Sequence, residues 1–171
     1  MKFFLISLFI IWPSFSWSSS PNIQTPAPLI YLSDNLDESA ELGWCIDTIG
    51  RGFAERLHAH SCKPHGGDVQ FFYRKLTKQI LSATYSEKCV EVIGPILKGA
   101  KLGLLQCSVN SSKQKFEYKN KEFRPLSKLR YCLVVGKNSR SAGPFMARNL
   151  YLAPCDAVAK QYRRWMIKRK K

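Results

Sequence analysis

The residues best equipped for chemistry crowd one short stretch: His58, His60, Cys62, His65 and Asp68, with Asp47 a little upstream. Two imidazoles spaced two apart on an extended chain face the same side, and imidazole with thiolate suits zinc. The thiolate is the weak member, because Cys62 also holds a repeated position where a disulfide is expected. No metal is therefore expected. A milder role is protonation: three histidines gaining charge near pH 6 would make binding respond to an acidified compartment. Covalent chemistry finds little support. No Ser/His/Asp order stands out, no P-loop is present, and few carboxylates are available for paired acid–base work. The expectation is a protein that is not an enzyme and takes no cofactor. Asn110-Ser111-Ser112 is a glycosylation sequon, meaningful only in a eukaryote.

Three copies of one pattern carry these residues. The first reads Cys45-Ile46-Asp47-Thr48-Ile49-Gly50, then Leu57 and Ala59 before Cys62, then Gln70-Phe71-Phe72. The second reads Cys89-Val90-Glu91-Val92-Ile93-Gly94, then Leu102 and Leu104 before Cys107, then Gln114-Lys115-Phe116. The third reads Cys132-Leu133-Val134-Val135-Gly136, then Leu150 and Leu152 before Cys155, then Arg163-Arg164-Trp165. The leading cysteines stand 44 and then 43 residues apart, a period that outranks local propensity as a fold signal. Apolar residues two apart before each second cysteine mark a half-buried strand. Glycines and polar runs, Asn138 to Gly143 among them, mark turns. About four short strands per copy make an all-β closed architecture of about twelve strands. Leu32-Ser33, Leu81-Ser82 and Leu126-Ser127 precede successive copies, so the strand 28–33 is expected to close the third repeat.

The N-terminus reads as a secretory signal over residues 1–18: Lys2, an apolar run Phe3 to Ile11, then small residues around Ser14, Ser16 and Ser18. The run is too short to span a membrane. The expected mature protein is secreted, periplasmic or held at the cell surface. Residues 19–27 read as an extended leader, and 28–171 as one domain with repeats at about 43–86, 87–129 and 130–171. An even cysteine count in an exported chain implies disulfides. The repeat favours Cys45–Cys62, Cys89–Cys107 and Cys132–Cys155, one per repeat, each contributing about 3 kcal/mol by loop closure. Links between repeats would satisfy the same symmetry.

Charge is lopsided. Residues 43–171 carry 26 Lys and Arg against 8 Asp and Glu, while Asp34, Asp37, Glu38 and Glu41 crowd the stretch before them. Such a surface attracts polyanions: acidic glycans, anionic lipid, nucleic acid or an acidic partner.

A Cys-hydrophobic-Asp strand, a second cysteine and then Gln-x-aromatic, three times in register over residues 43–167, resembles the ricin B-type (R-type) lectin β-trefoil. The family signature is Gln-x-Trp; here it reads Gln70-x-Phe72, Gln114-x-Phe116 and Arg163-x-Trp165. The resemblance implies that these three aromatics plug the barrel. It also implies a sugar pocket in the first repeat, built from Asp47, His58, His60 and Gln70, with Val69 standing where the family has Asn. Glu91 and Gln114 are weaker counterparts in the second repeat, and the third, with Val134, Ala153 and Arg163, lacks the pocket. The chemistry is intelligible: a carboxylate accepts hydroxyl hydrogen bonds, amides fix orientation, and a ring packs on the apolar sugar face. By this resemblance the protein is an exported, non-catalytic module for cell-surface glycans, similar to the ricin-like binding subunits of cytolethal distending toxins, which carry a catalytic partner. A charge-driven binder of sulfated glycan or nucleic acid is the alternative. So is a trefoil inhibitor of hydrolases acting through an exposed loop at 136–144.

Overall fold

The computed structural model describes residues 19–170; the signal-peptide expectation falls on residues outside them. Twelve strands run through the described chain: β1 (Leu29–Leu32), β2 (Trp44–Thr48), β3 (Leu57–Ser61), β4 (Phe71–Arg74), β5 (Gln79–Ser82), β6 (Lys88–Val92), β7 (Leu102–Gln106), β8 (Phe116–Lys119), β9 (Glu122–Pro125), β10 (Tyr131–Ala142), β11 (Phe145–Pro154) and β12 (Trp165–Lys168). Apart from single 3-10 turns, no helix interrupts them.

Each repeat contributes two antiparallel hairpin-like pairs. These are β2–β3 with β4–β5, β6–β7 with β8–β9, and β10–β11 with β12–β1. The last pair joins the two ends of the described chain, with Leu29 opposite Lys168 and Leu32 opposite Trp165. Barrel strands then link one repeat to the next, through Tyr31 opposite Cys45 and Leu81 opposite Cys89. A triangle of hairpins caps the barrel. Arg56 bridges to Gly103, Lys101 to Tyr151, and Ala147 lies opposite His60. Three equivalent backbone bonds repeat the symmetry: Cys62 N–H to Gly43, Cys107 to Glu87 and Cys155 to Arg130, at 2.8–2.9 Å. The result is an all-β trefoil.

Alternation explains the core. Side chains one apart on a strand face opposite sides, so Ile46, Val90 and Leu133 enter the central cluster while their neighbouring cysteines face away from it. Leu57/Ala59, Leu102/Leu104 and Leu150/Leu152 join the same cluster. The three disulfides lie within repeats, Cys45–Cys62, Cys89–Cys107 and Cys132–Cys155, with Cα separations of 5.0, 4.9 and 5.1 Å. Links between repeats are excluded.

One barrel plug differs from expectation. Phe116 and Trp165 are fully buried, but in the first repeat Phe71 is the buried ring and Phe72 lies partly exposed. Equivalent amides fix the register: Ala83 donates to Gln70, Leu126 to Lys115 and Ser33 to Arg164. Phe71, Phe116 and Trp165 are thus counterparts. Gln70 corresponds to Lys115, and Val69 corresponds to Gln114. The same register places Leu32 opposite Ser82 and Pro125 in the symmetry, so the recurring Leu-Ser pairs are not equivalent positions.

The loop expected at 136–144 is also corrected. β10 runs on to Ala142, with a bulge between Val135 and Ser139, and only Gly143-Pro144 turns. Arg148 holds this hairpin: its guanidinium donates to the carbonyls of Gly136 and Lys137 and pairs with Asp37. Ser139 reaches the same Asp37 at 2.5 Å. Asp37, from the acidic stretch before the first repeat, therefore braces this hairpin.

Candidate functional site

Asp47 on β2 lies directly opposite His58 on β3, and Cys45 opposite His60, so strand pairing brings the three expected first-repeat residues together. The two imidazoles share one side, with centroids 5.4 Å apart. Asp47 is buried; its Oδ1 accepts the Thr48 amide at 2.7 Å. Its Oδ2 lies 2.8 Å from the Lys63 ammonium, which also grips Asp68 at 2.6 Å. His60 donates from Nδ1 to the Ser61 carbonyl at 2.9 Å and stands 3.6 Å from Asp47. Phe145 packs edge-on against the His60 ring at 5.5 Å. His60 is 5% exposed, so little of its ring is open to a sugar face.

Gln70 is not brought to this group by any of its hydrogen bonds. Its amide turns to the leader, accepting from Gly67 N–H at 3.1 Å and donating to the Pro26 and Ala27 carbonyls. In the second repeat Glu91 and Gln114 do meet, at 2.7 Å. Gln114 is buried and spends its amide on Gln106, Ser108 and Gln79 as well, so the pair closes a turn. Arg163, its third-repeat counterpart, pairs with Glu122. The Cys62 sulfur, bonded to Cys45, offers no thiolate to His58 and His60.

Burial decides the protonation states. It pushes Asp47 up to about 6, and the Lys63 ammonium only partly offsets this. Lys63, partly open to water and shared by two carboxylates, holds its proton more firmly than usual. His58 is driven down to about 4, by burial first and then by the His60, Arg140 and Lys63 charges; the Thr48 backbone opposes weakly, without a normal hydrogen bond to Nε2. His60 is also lowered, again by burial first. Burial thus works against His58 and His60 gaining charge near pH 6, while Asp47 is raised toward that range. Lys63, Phe145 and Arg140 were not among the candidates. The one sequence signal was Lys63 beside Cys62, spaced five residues from Asp68.

A wider cavity than the space around Asp47 lies elsewhere. A groove of about 830 Å³ runs between β4–β5 and the C-terminal end of β12. Because Phe71 turns inward, alternation turns Phe72 outward into this groove, where Arg74 stands 5.8 Å over its ring. The pairing of β12 with β1 delivers Lys168, Arg169 and Lys170 to the opposite wall, and Lys168 is tied to the Thr25 carbonyl at 2.7 Å. Glu87, bonded by Gln106, is the single carboxylate among the groove's lining residues. Four cations beside an aromatic face can hold an anionic group while a flat apolar surface packs on the ring.

The trefoil lectin of the Vibrio vulnificus hemolysin/cytolysin, solved with N-acetyl-D-lactosamine bound, matches with a TM-score of 0.57 at 19% identity, over 84% of this chain and 94% of that one. The C-half of an earthworm R-type lectin, in complex with GalNAc, matches with a TM-score of 0.60 at 13% identity, over 84% and 100%. The chain has the β-trefoil fold. The Haemophilus ducreyi cytolethal distending toxin shares this trefoil with a TM-score of 0.52 at 14% identity, over 81% of each chain. No family model and no curated protein matches the sequence. No helix among the described residues of the trefoil is long and apolar enough to cross a membrane.

Proposed function

We propose that the protein is an exported, non-catalytic module that binds acidic glycans at a cell surface through the Phe72 groove. The observation that carries this is the placing of an outward aromatic ring with Arg74, Lys168, Arg169 and Lys170 in one groove of about 830 Å³. A sulfated or carboxylated sugar unit presents what such a groove complements: an anion at its edge and an apolar face for the ring. The Asp47 group supports a different role, since Lys63 already takes the carboxylate that a neutral sugar would need. Sugars bound by the similar trefoil lectins, and three disulfides suited to an oxidising compartment, support the wider reading.

A glycan array at 0.05 M and 0.3 M salt tests this. The reading expects sulfated or sialylated glycans to be retained over their neutral cores, with retention falling steeply as salt rises. Preferential retention of neutral glycans at both salts would refute it. The likeness to a toxin favours a second, more specific role as a delivery subunit beside a catalytic partner. A neighbouring gene for a nuclease-like exotoxin, with co-purification of its product, is the corresponding test.

A further inference from the structure

A second cavity, of about 490 Å³, sits where the three repeats meet. Its floor is Leu57, Leu102 and Leu150, each five residues before the second cysteine of its repeat, so each repeat supplies the same position. One residue earlier stand Arg56, Lys101 and Asn149, which form the rim. Asn149 breaks the pattern of cations, yet its Oδ1 accepts from Arg140 on the facing strand at 3.4 Å. The third corner thereby regains a positive charge. No carboxylate lines the cavity among the described residues. A ring of three cations over a leucine floor, at a volume ordinary for small-ligand sites, is a complement to an anion carried on an apolar body.

His58, in the wall, adds an independent observation. Arg140 stands 3.3 Å from its Nδ1, and a guanidinium only donates, so Nδ1 is the acceptor. In the neutral ring the proton must then lie on Nε2. That nitrogen is buried and makes no hydrogen bond of normal geometry, the Thr48 backbone being its weak neighbour. A buried donor so poorly satisfied is uncommon in folded proteins.

We propose that this axial cavity binds an organic oxyanion, a sulfonate, sulfate or carboxylate on a small apolar group, between Arg56, Lys101 and Arg140. The site is separate from the Phe72 groove and does not rest on its role. Naphthalene-2-sulfonate serves as the probe, followed by calorimetry on the purified protein and by the nitrogen resonances of the His58 ring. The result expected is saturable one-to-one binding that shifts His58 Nε2, weakened at least tenfold by Arg140→Gln and by Lys101→Gln. Both side chains are exposed, so neither variant threatens folding. Arg169→Ser, in the groove, should leave this binding unchanged. Absence of saturable binding, equal binding of neutral 2-naphthol, wild-type affinity in both rim variants, or loss in Arg169→Ser would each overturn the assignment.

Discussion

The Lys63 ammonium stands 2.8 Å from the Asp47 carboxylate, in the place where the R-type resemblance puts a sugar hydroxyl. Lys63 is fixed by its neighbour Cys62, whose disulfide to Cys45 ties it to the strand that carries Asp47. The pair is therefore part of the frame. Lys63→Met leaves a buried carboxylate facing His60 and the Thr48 amide, with the Asp68 charge now unopposed nearby. It should lower unfolding free energy by about 3 kcal/mol. Asp47→Asn added to Lys63→Met should recover more than half of that loss. Urea denaturation of the three variants measures both; equal stability of Lys63→Met and the wild type would contradict the frame role.

Stability against pH carries a second signature. Asp47 has its folded value raised to about 6 from 3.8, so its contribution is full below about 3.8 and is lost as pH rises through 6. His58 has its folded value lowered to about 4 from 6.5, so its contribution is full above 6.5 and is lost as pH falls through 4. Across pH 4–6 the two oppose each other. Asp47→Asn removes one limb, so stability of that variant should rise with pH more steeply than the wild type's, by on the order of 2 kcal/mol. Parallel profiles from thermal or urea unfolding would contradict the protonation states assigned here.

The two adjacent phenylalanines should behave oppositely. Phe71→Ala empties the barrel axis and should cost about 3–5 kcal/mol. Phe72→Ala should cost under about 1 kcal/mol. Equal losses in urea midpoints would contradict the register of β4 against β5.

Replacing Cys89 and Cys107 together by serine opens a link spanning 18 residues. Loop-closure entropy gives a loss of about 3 kcal/mol, with the trefoil retained. A circular dichroism spectrum unlike the parent's would contradict the picture of a frame that the disulfide only reinforces.

Where the sequence was legible, the signal was local and periodic. Cysteine spacing and the alternation of Leu57 with Ala59 reveal the repeats, the disulfides and the inward faces, because strand geometry converts spacing directly into sidedness. Phe71 and Phe72 defeat that logic, since both satisfy an aromatic position and only pairing with β5 separates them. Counting nine residues from the second cysteine selects Phe71 and Phe116 alike, a cue that the Gln-x-aromatic motif conceals. The stretch 136–144 has turn-like composition, yet β10 extends through it because Arg148 and Asp37 anchor the hairpin. Lys63 reaches Asp47 and Asp68 through the tertiary fold, and the groove joins residues 72–74 to 168–170 across nearly the whole domain. Of these relations only the five-residue spacing of Lys63 and Asp68 leaves a short-range trace in the sequence.

The most direct measurement is titration of the purified protein with a heparin-derived tetrasaccharide at 0.15 M salt, comparing wild type with Phe72→Ala and with Arg169→Ser. Loss of the ring should weaken binding about tenfold, roughly 1.4 kcal/mol, with the fold retained, and loss of the cation should weaken it and flatten the salt dependence. Undiminished binding by both variants, or binding abolished only by substitution of Asp47, would contradict recognition through the groove.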